Sequence, residues 1–309
     1  MKRRFLTLLI LPLAIIGSVQ AQHRMWGNPI GPYAYNPAGA NVNDMGEIIA
    51  SYYMTYVDAK QAPQGALLLG STSLPFDNMG AGFRFDYETG GVMKNIMAEA
   101  TYVYKLNIGR QNKLAFGLSG TYNQTFLDRS KVVAKDGNDP FLVSGTESDF
   151  WFDFNFGVSF YKPNHYYVGL AAYNIAGGQS TADWKIAGFE ERTSRLFTAS
   201  GMYMLDLVNG DLKLELTANG MFYLPQDKFT LVYDANARAI YKKICWLGTG
   251  YTENMVKVLA GVYVQNFSIG YAGGIGVAND ITTYSYSFPR HEVFLRLELN
   301  TSKSSKNKR

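Results

Sequence analysis

Apolar and polar residues alternate one by one along much of this chain, and this pattern limits the folds that it can adopt. Between residues 113 and 126 the large apolar side chains fall on even positions, and small or polar ones fall on odd positions. The same alternation runs through residues 150–161, 211–224 and 293–299. Successive side chains of an extended strand point to opposite faces, so the pattern predicts strands with one apolar and one polar face.

About fourteen such strands can be counted, each close to the roughly ten residues that a tilted membrane strand needs. The first two are ambiguous because both faces carry apolar residues, such as Ile48 beside Ile49 and Leu67 beside Leu68. The predicted fold is all-β, a transmembrane antiparallel β-barrel at residues 47–300. We predict the strands at residues 47–58, 63–74, 78–89, 93–106, 112–126, 149–161, 165–173, 193–206, 211–224, 228–241, 243–253, 255–265, 267–276 and 290–300.

The lengths of the connections between predicted strands support the barrel independently. The long ones, at residues 127–148, 174–192 and 277–289, all follow odd-numbered strands. Even-numbered strands are followed by short connections, as at residues 162–164 and 265–266. An outer-membrane barrel with its amino terminus in the periplasm has long loops outside the cell and tight periplasmic turns. A soluble β-sandwich follows no such rule, so the connections favour the barrel.

Composition excludes three other classes of protein. After the first twenty residues no stretch approaches the roughly 20 consecutive apolar residues of a spanning helix. The chain is 47% hydrophobic and only 17% charged, whereas disordered chains are poor in apolar residues and rich in charge. The single cysteine, Cys245, excludes a disulfide scaffold.

The amino terminus has the features of an export signal at residues 1–21. Three cations precede an apolar stretch from Phe5 to Ile16, which is too short to span a bilayer, and Ala21 ends an expected cleavage site. Removal of the signal lowers the formal charge from +4 to +1 (4 − 3), and a basic tail at residues 301–309 carries four further cations. Residues 22–300 therefore sum to −3 (1 − 4), so we expect no nucleic-acid partner.

The polar face of the predicted strands carries many charges, which suit the inside of a wide barrel that is solvated or holds a plug. We also expect aromatic residues near strand ends to form girdles at the membrane interfaces. The predicted lumenal residues are Asp153, Asn155, Lys213, Glu215, Asp234, Asn236, Arg238, Arg296 and Glu298. The predicted girdle residues are Tyr53, Tyr56, Phe126, Phe150, Phe160, Tyr166 and Tyr167.

Residues 22–46, between the signal and the barrel, have no strand pattern and many turn-forming residues. One interpretation is a disordered leader, and the other is an ordered segment at the periplasmic mouth or in the lumen. Three aromatic residues favour order, because solvated leaders seldom carry them. The candidate structural or partner-contact site is formed by Tyr33, Tyr35, Asn36, Pro37, Ala38 and Gly39.

The residues needed for catalysis are not arranged in any recognisable pattern. The three histidines are scattered, no G-x-S-x-G motif occurs, and His291-Glu292 lacks the second histidine of a zinc helix. Gly82 and Gly270 lie in predicted strands, where glycine lets a strand bend or an aromatic ring pack closely. We predict no enzymatic activity, no metal and no cofactor.

Several motifs, in order along the mature chain, resemble the PorP/SprF family of type IX secretion system outer-membrane proteins. Residues 36–39 read Asn-Pro-Ala-Gly, and residues 78–83 are similar to the family's N-x-G-x-G strand. Residues 114–120, 268–271 and 291–295 continue the resemblance.

The resemblance implies an outer-membrane barrel that works with the type IX export machinery and, in some members, gliding motility. Its implied partners are a periplasmic ring, peptidoglycan-linked components and secreted or surface cargo, with outer-membrane lipid around the barrel. One hypothesis is a non-enzymatic component that aids export or anchors cargo at the surface. The alternative is an outer-membrane channel or transporter for a small solute or hydrophobic ligand.

Overall fold

The protein is described here from a computed structural model that covers residues 31–55, 61–76, 78–128, 146–177, 195–224, 230–252, 255–276 and 290–299. Fourteen antiparallel strands form one closed barrel, in which each strand pairs with its neighbours in sequence and β1 pairs with β14. The strands are β1 Gly46–Thr55, β2 Gln64–Ser73, β3 Met79–Gly90, β4 Met93–Ile108, β5 Asn112–Asp128, β6 Thr146–Lys162, β7 Tyr166–Tyr173, β8 Arg195–Val208, β9 Leu212–Leu224, β10 Thr230–Tyr241, β11 Cys245–Thr252, β12 Met255–Val264, β13 Phe267–Gly276 and β14 Arg290–Leu299.

The predicted fold class and all fourteen predicted strands are confirmed. The largest extension at a strand start is in β6, which begins at Thr146 rather than at residue 149. Its first residues continue the ladder with β5, where Asp128 is opposite Thr146. The predicted signal at residues 1–21, residues 22–30 and the tail at residues 301–309 lie outside the described residues.

Closure gives every strand two hydrogen-bonded neighbours. In β1, Ala50 lies opposite Leu295 of β14 on one side and Leu68 of β2 on the other. Within hydrocarbon an unpaired backbone group costs several kcal/mol, so a sheet in a membrane has to close on itself. Among the described residues no helix is long and apolar enough to cross a bilayer.

The strands point their large apolar side chains outward. In β6 the ring of Phe152 is 65% exposed, whereas the adjacent Asp153 is 1% exposed and points into the lumen. The register of β9 with β10 places Glu215 opposite Arg238 on the inner face. The predicted division into an apolar outer and a polar inner face is therefore confirmed in the strands that carried the prediction.

The predicted girdle position is wrong for two residues. Tyr53 and Tyr167 point into the lumen and are 6% and 1% exposed. Each occupies an inward-facing position of its strand. Buried residues on the same face are Ser51 in β1 and Ala171 in β7. Phe150 and Phe160 do face outward, and Tyr56 lies outside the described residues.

The two ends of the barrel differ in how they connect the strands. At one end β6 and β7, β8 and β9, and β12 and β13 are separated by two or three residues. At the other end β5 stops at residue 128 and β6 starts at residue 146, and β13 and β14 are separated by residues 277–289. The first end is called the short-turn rim below, and the chain enters β1 from it at Gly46.

Candidate functional site in the barrel interior

Residues 31–45, called the plug segment below, fold as two single 3₁₀ turns at Pro32–Ala34 and Pro37–Gly39. A proline opens each turn, where its fixed φ suits the turn and its missing N–H is not needed. Asn36 caps the second turn because its side-chain Oδ1 accepts a hydrogen bond from Ala38 N at 2.8 Å. The two prolines and the Asn36 cap thus favour the two turns locally.

The six candidate residues all lie in the plug segment and are buried in the lumen. Asn36 is fully buried, and Tyr33 and Tyr35 are 2% and 5% exposed. Residues 37–39 pack on the inner faces of β4, β5, β6 and β7. The structure thus brings the six residues together inside the barrel rather than on its outer surface.

Three glycines form a hollow in the inner wall, called the glycine cradle below. Gly117 of β5 lies opposite Gly157 of β6, and Gly169 of β7 is close by. A Cβ atom on Gly157 would be 2.0 Å from Asn36 Oδ1, and one on Gly117 would be 2.3 Å from Ala38 N. Any larger residue would occupy the space of the plug segment, so the cradle and the Asn-Pro-Ala-Gly turn fit each other as a pair.

The Asn36 amide group binds the backbone of the cradle. Its Nδ2 donates to Val158 O at 3.1 Å and to Leu170 O at 3.2 Å, which are opposite residues of β6 and β7. Together with the cap to Ala38 N, the side chain uses both its donors and its acceptor. A buried amide that is fully paired avoids a desolvation cost of about 1–3 kcal/mol for each unmade bond.

Polar side chains of the wall hold the backbone carbonyls of the plug segment. The donors come from four strands on one side of the barrel, β3, β4, β6 and β8. The bonds join Arg84 Nη1 to Ala34 O at 3.2 Å, Thr198 Oγ1 to Tyr35 O at 2.7 Å, Ser159 Oγ to Ala38 O at 3.0 Å and Lys105 Nζ to Asn41 O at 2.6 Å. These four wall residues were not predicted, because nothing in the local sequence links them to residues 34–41.

Tyr33 extends the contact toward β3 and β4. Its ring lies against Gly82, where a Cβ atom would be 2.6 Å from the ring. Gly82 therefore lets an aromatic ring pack closely, as predicted. Its hydroxyl donates to Thr101 Oγ1 at 2.9 Å. Burial, and then the nearby Glu99 carboxylate, raise the pKa of Tyr33 well above its ordinary value. The phenol therefore stays protonated and keeps this hydrogen bond at physiological pH.

An ion-pair latch closes the plug segment at the short-turn rim. Asp44 Oδ1 accepts from Lys105 Nζ at 2.7 Å, and Asp44 Oδ2 accepts from Lys113 Nζ. Partial burial acts to raise the pKa of Asp44, but the hydrogen bonds and charges of the two lysines outweigh it and lower the pKa below its ordinary value. Asn41 adds bonds to Ser71 and Ser73 of β2.

Apolar side chains join the plug segment to the opposite wall. Tyr33, Tyr35 and Ala38 belong to one buried cluster with Trp246 of β11 and Phe294 of β14. The two rings stack at 5.8 Å between centroids. Ile49, Leu67 and Leu69 belong to the same cluster, which explains why both faces of β1 and β2 are apolar. The described interior is therefore a packed core rather than a uniformly polar lumen.

Several charged residues elsewhere on the inner face bond to other inward-facing side chains. Arg238 Nε and Nη2 donate to the two carboxylate oxygens of Glu215 at 2.8 and 3.0 Å. Lys257 bonds Asp234, and Ser51 Oγ donates to Glu292 Oε1 at 2.6 Å. Pairing offsets the cost of burying these groups. The bonds link β9 to β10 and β1 to β14, and the Lys257–Asp234 pair reaches across β11 from β12 to β10.

Two of the three histidines lie far from the interior. His165 is exposed in the β6–β7 turn, and His291 faces outward, with its Nδ1 2.6 Å from the hydroxyl of Tyr271. His23 lies outside the described residues. In the part of the chain that the structure describes, no group of three acidic, histidine or cysteine residues is placed to hold a metal ion.

A closed antiparallel barrel with an apolar outer wall and an internal plug is the architecture of an outer-membrane β-barrel protein. The profile of the family described as "type IX secretion system membrane protein PorP/SprF" matches residues 30–297. The chain belongs to this family. A search of curated proteins gives no match.

The chain is similar to several solved structures at low sequence identity. A Pseudomonas aeruginosa FadL homologue is 9% identical, with 89% of this chain and 97% of that chain covered and a TM-score of 0.50. The P. putida toluene transporter TodX is 8% identical, with 85% and 90% covered and a TM-score of 0.46. Omp33 of Acinetobacter baumannii is 10% identical, with 83% and 100% covered and a TM-score of 0.45. At these identities the likeness concerns the fold alone.

Proposed function

We propose that this protein is a non-enzymatic, plugged outer-membrane component of the type IX secretion system that aids the export or surface anchoring of cargo proteins. The observation that carries the proposal is the PorP/SprF family match over residues 30–297. The filled interior supports an anchoring role, because the plug segment takes up the space that a solute would have to cross.

The burial of the candidate residues determines how a partner would meet the protein. All six, Tyr33 to Gly39 without Ala34, lie inside the barrel, so a partner cannot touch them while the plug segment is docked. We therefore assign them the role of holding the plug segment. Contact with the periplasmic ring and peptidoglycan-linked components falls to the short-turn rim, and contact with cargo falls to the long connections at the other end.

Deletion of residues 24–40 tests the proposal in cells. The expected result is loss of cargo secretion, with a barrel that still reaches the outer membrane and still changes its gel mobility on heating. Affinity purification of tagged wild-type protein from mild-detergent membranes should recover periplasmic ring components or a large surface protein. Normal secretion by the deletion variant, together with no such partners, would contradict the proposal.

A transporter is the alternative, since a closed barrel of fourteen strands also suits a channel for a small solute. The paired charges of the inner face suit a polar solute better than a hydrophobic one. Steady solute flux through the intact purified protein in planar bilayers would favour transport over anchoring.

A further inference from the structure

One turn at the short-turn rim has a backbone conformation that its own residues disfavour. The turn joins β10 to β11, and Ile244 N donates to Tyr241 O at 2.8 Å across it. Its two central residues, Lys242 and Lys243, have φ of 47° and 54°. Two consecutive positive φ values are typical of type I′ turns, which prefer Asn-Gly. A lysine in this region is disfavoured, because its Cβ atom crowds the following carbonyl oxygen.

The neighbouring turn has the same backbone conformation and carries the residues that favour it. Between β8 and β9, Asn209 and Gly210 take φ of 43° and 88°. The two turns touch, because Lys242 N donates to Asp211 O at 2.7 Å and Lys242 Nζ lies 3.2 Å from Asp211 Oδ2. The backbone geometry therefore does not account for two lysines in the second turn. Strain of this kind commonly marks a functional position.

The lysines lie next to an exposed apolar surface, called the ledge below, which consists of Leu207, Val208, Tyr241 and Ile244. Ile244, Leu207 and Val208 are 58%, 52% and 52% exposed, and Tyr241 is also exposed at the end of β10. Lys242 Nζ lies 5.5 Å from the centre of the Tyr241 ring. The ledge continues the lipid-facing wall down to the rim, where lysines keep their charge in the headgroup layer while their stems lie on apolar surface.

The charged side chains around the ledge give the turn a net positive charge. Lys242 and Lys243 against Asp211 give +1 (2 − 1). Asp206 of the neighbouring hairpin accepts from Gly210 N and lies opposite Lys213 in the β8–β9 ladder, so it belongs to that hairpin.

We propose that the Tyr241–Ile244 turn, with Leu207 and Val208, binds the phosphate of an anionic phospholipid at the short-turn rim. Ammonium groups bind phosphate as point charges, and the ledge accepts the first methylenes of the acyl chains. The choice of a phospholipid rests on the proposed function, which places this rim in the periplasm and so beside the inner leaflet. A lipid bound here would fix the depth of the barrel next to the surface offered to the periplasmic machinery.

The test measures lipid retention by the purified full-length protein. The protein is placed in nanodiscs of phosphatidylethanolamine with added phosphatidylglycerol, and the lipids that stay bound are identified by native mass spectrometry. Wild-type protein should retain phosphatidylglycerol in preference. In the variant K242N/K243G, the preference for phosphatidylglycerol should fall about fivefold for each lysine removed. This variant should unfold no more easily than the wild type, because Asn-Gly is the favoured sequence for this turn.

Two further variants separate charge from conformation and from position. K242Q/K243Q keeps long side chains in the strained turn, and it should lose the preference as fully as K242N/K243G. R110Q, in the exposed β4–β5 turn of the same rim, should retain it. An equal loss in R110Q, an unchanged preference in K242Q/K243Q, or no preference in the wild type would overturn the proposal.

Failure of the lipid site and failure of the proposed function give different experimental results. If nanodiscs containing lipopolysaccharide compete for this turn and phosphatidylglycerol does not, the rim faces the outer leaflet, which would overturn the lipid proposal and the orientation together. If phosphatidylglycerol is retained, but deletion of residues 24–40 leaves secretion normal and the affinity purification recovers no such partners, the lipid site stands and the secretion role does not.

Discussion

Single side chains determine whether the plug segment can dock. Asn36 bonds the backbones of two adjacent strands, and the glycine cradle of Gly117, Gly157 and Gly169 provides the space for it. A glycine in a strand normally weakens the strand, since it adds backbone entropy to the unfolded state and offers no side chain to pack. Its presence at these inward positions is explained by the close approach of the plug segment.

The substitution Gly157→Ala should therefore undock the Asn-Pro-Ala-Gly turn. The new Cβ atom would meet Asn36 Oδ1 at 2.0 Å, so the turn or the wall has to move. Three amides of the turn, those of Ala38, Gly39 and Ala40, are hydrogen-bonded within it and should exchange slowly in the wild type. Hydrogen-exchange mass spectrometry should show these amides exchanging about tenfold faster or more in the variant, which corresponds to about 1.4 kcal/mol.

Gly120→Ala provides the matched control for that measurement. Gly120 lies three residues further along β5 from Gly117, and a Cβ atom there would meet nothing within 4 Å. This variant should leave the exchange of residues 38–40 unchanged and should be neutral or slightly stabilising. Equal exchange in both variants would show that the cradle does not hold the turn.

The plug segment as an element is tied to β4 and β5 by the latch between Asp44, Lys105 and Lys113. Because the pKa of Asp44 is lowered in the folded protein, the latch contributes stability above the ordinary pKa of 3.8, and the contribution is lost as the pH falls through the lower folded value. We expect the latch to be intact at neutral pH and to open only below about pH 4.

Hydrogen exchange of residues 41–45, expressed as protection factors between pH 7 and pH 3, measures this opening. Protection should fall at the acidic end in the wild type. Asp44→Asn cannot titrate, so its protection should be weaker at neutral pH and should change little with pH. A wild-type profile as flat as that of the variant would count against the latch.

The strands could be predicted from the sequence because each is specified by its own alternation. Phe150, Phe152 and Phe154 mark the outer face of β6 without reference to any other segment. The orientation of Tyr53 and Tyr167 was missed, since an aromatic residue near a strand end suits either a girdle or a filled interior. The bonds from Arg84 to Ala34 and from Thr198 to Tyr35 span 50 and 163 residues, and contacts at such separations leave no local pattern.

The barrel as a whole combines a lipid-facing wall with a core on its inside. In a solvated pore the inner face would carry only polar residues, but here one apolar cluster includes the plug segment and side chains from opposite sides of the wall. Tyr35 lies in the middle of this arrangement, where its burial, together with the carboxylates of Asp234 and Glu292, raises its pKa. The plug segment is thus part of the folded core, and its removal should change the permeability of the molecule.

In planar bilayers the intact protein should show no steady conductance, because the plug segment bonds to strands from β2 round to β8 and packs against the far wall. Deletion of residues 24–40 removes most of these contacts and exposes the charged pairs of the inner face, so the variant should conduct ions while retaining its heat-modifiable mobility. Gly120→Ala, which leaves the plug segment in place, should remain closed. Steady current through the intact protein, equal to that of the deletion variant, would show that the interior is open and would favour the transporter over the anchoring component.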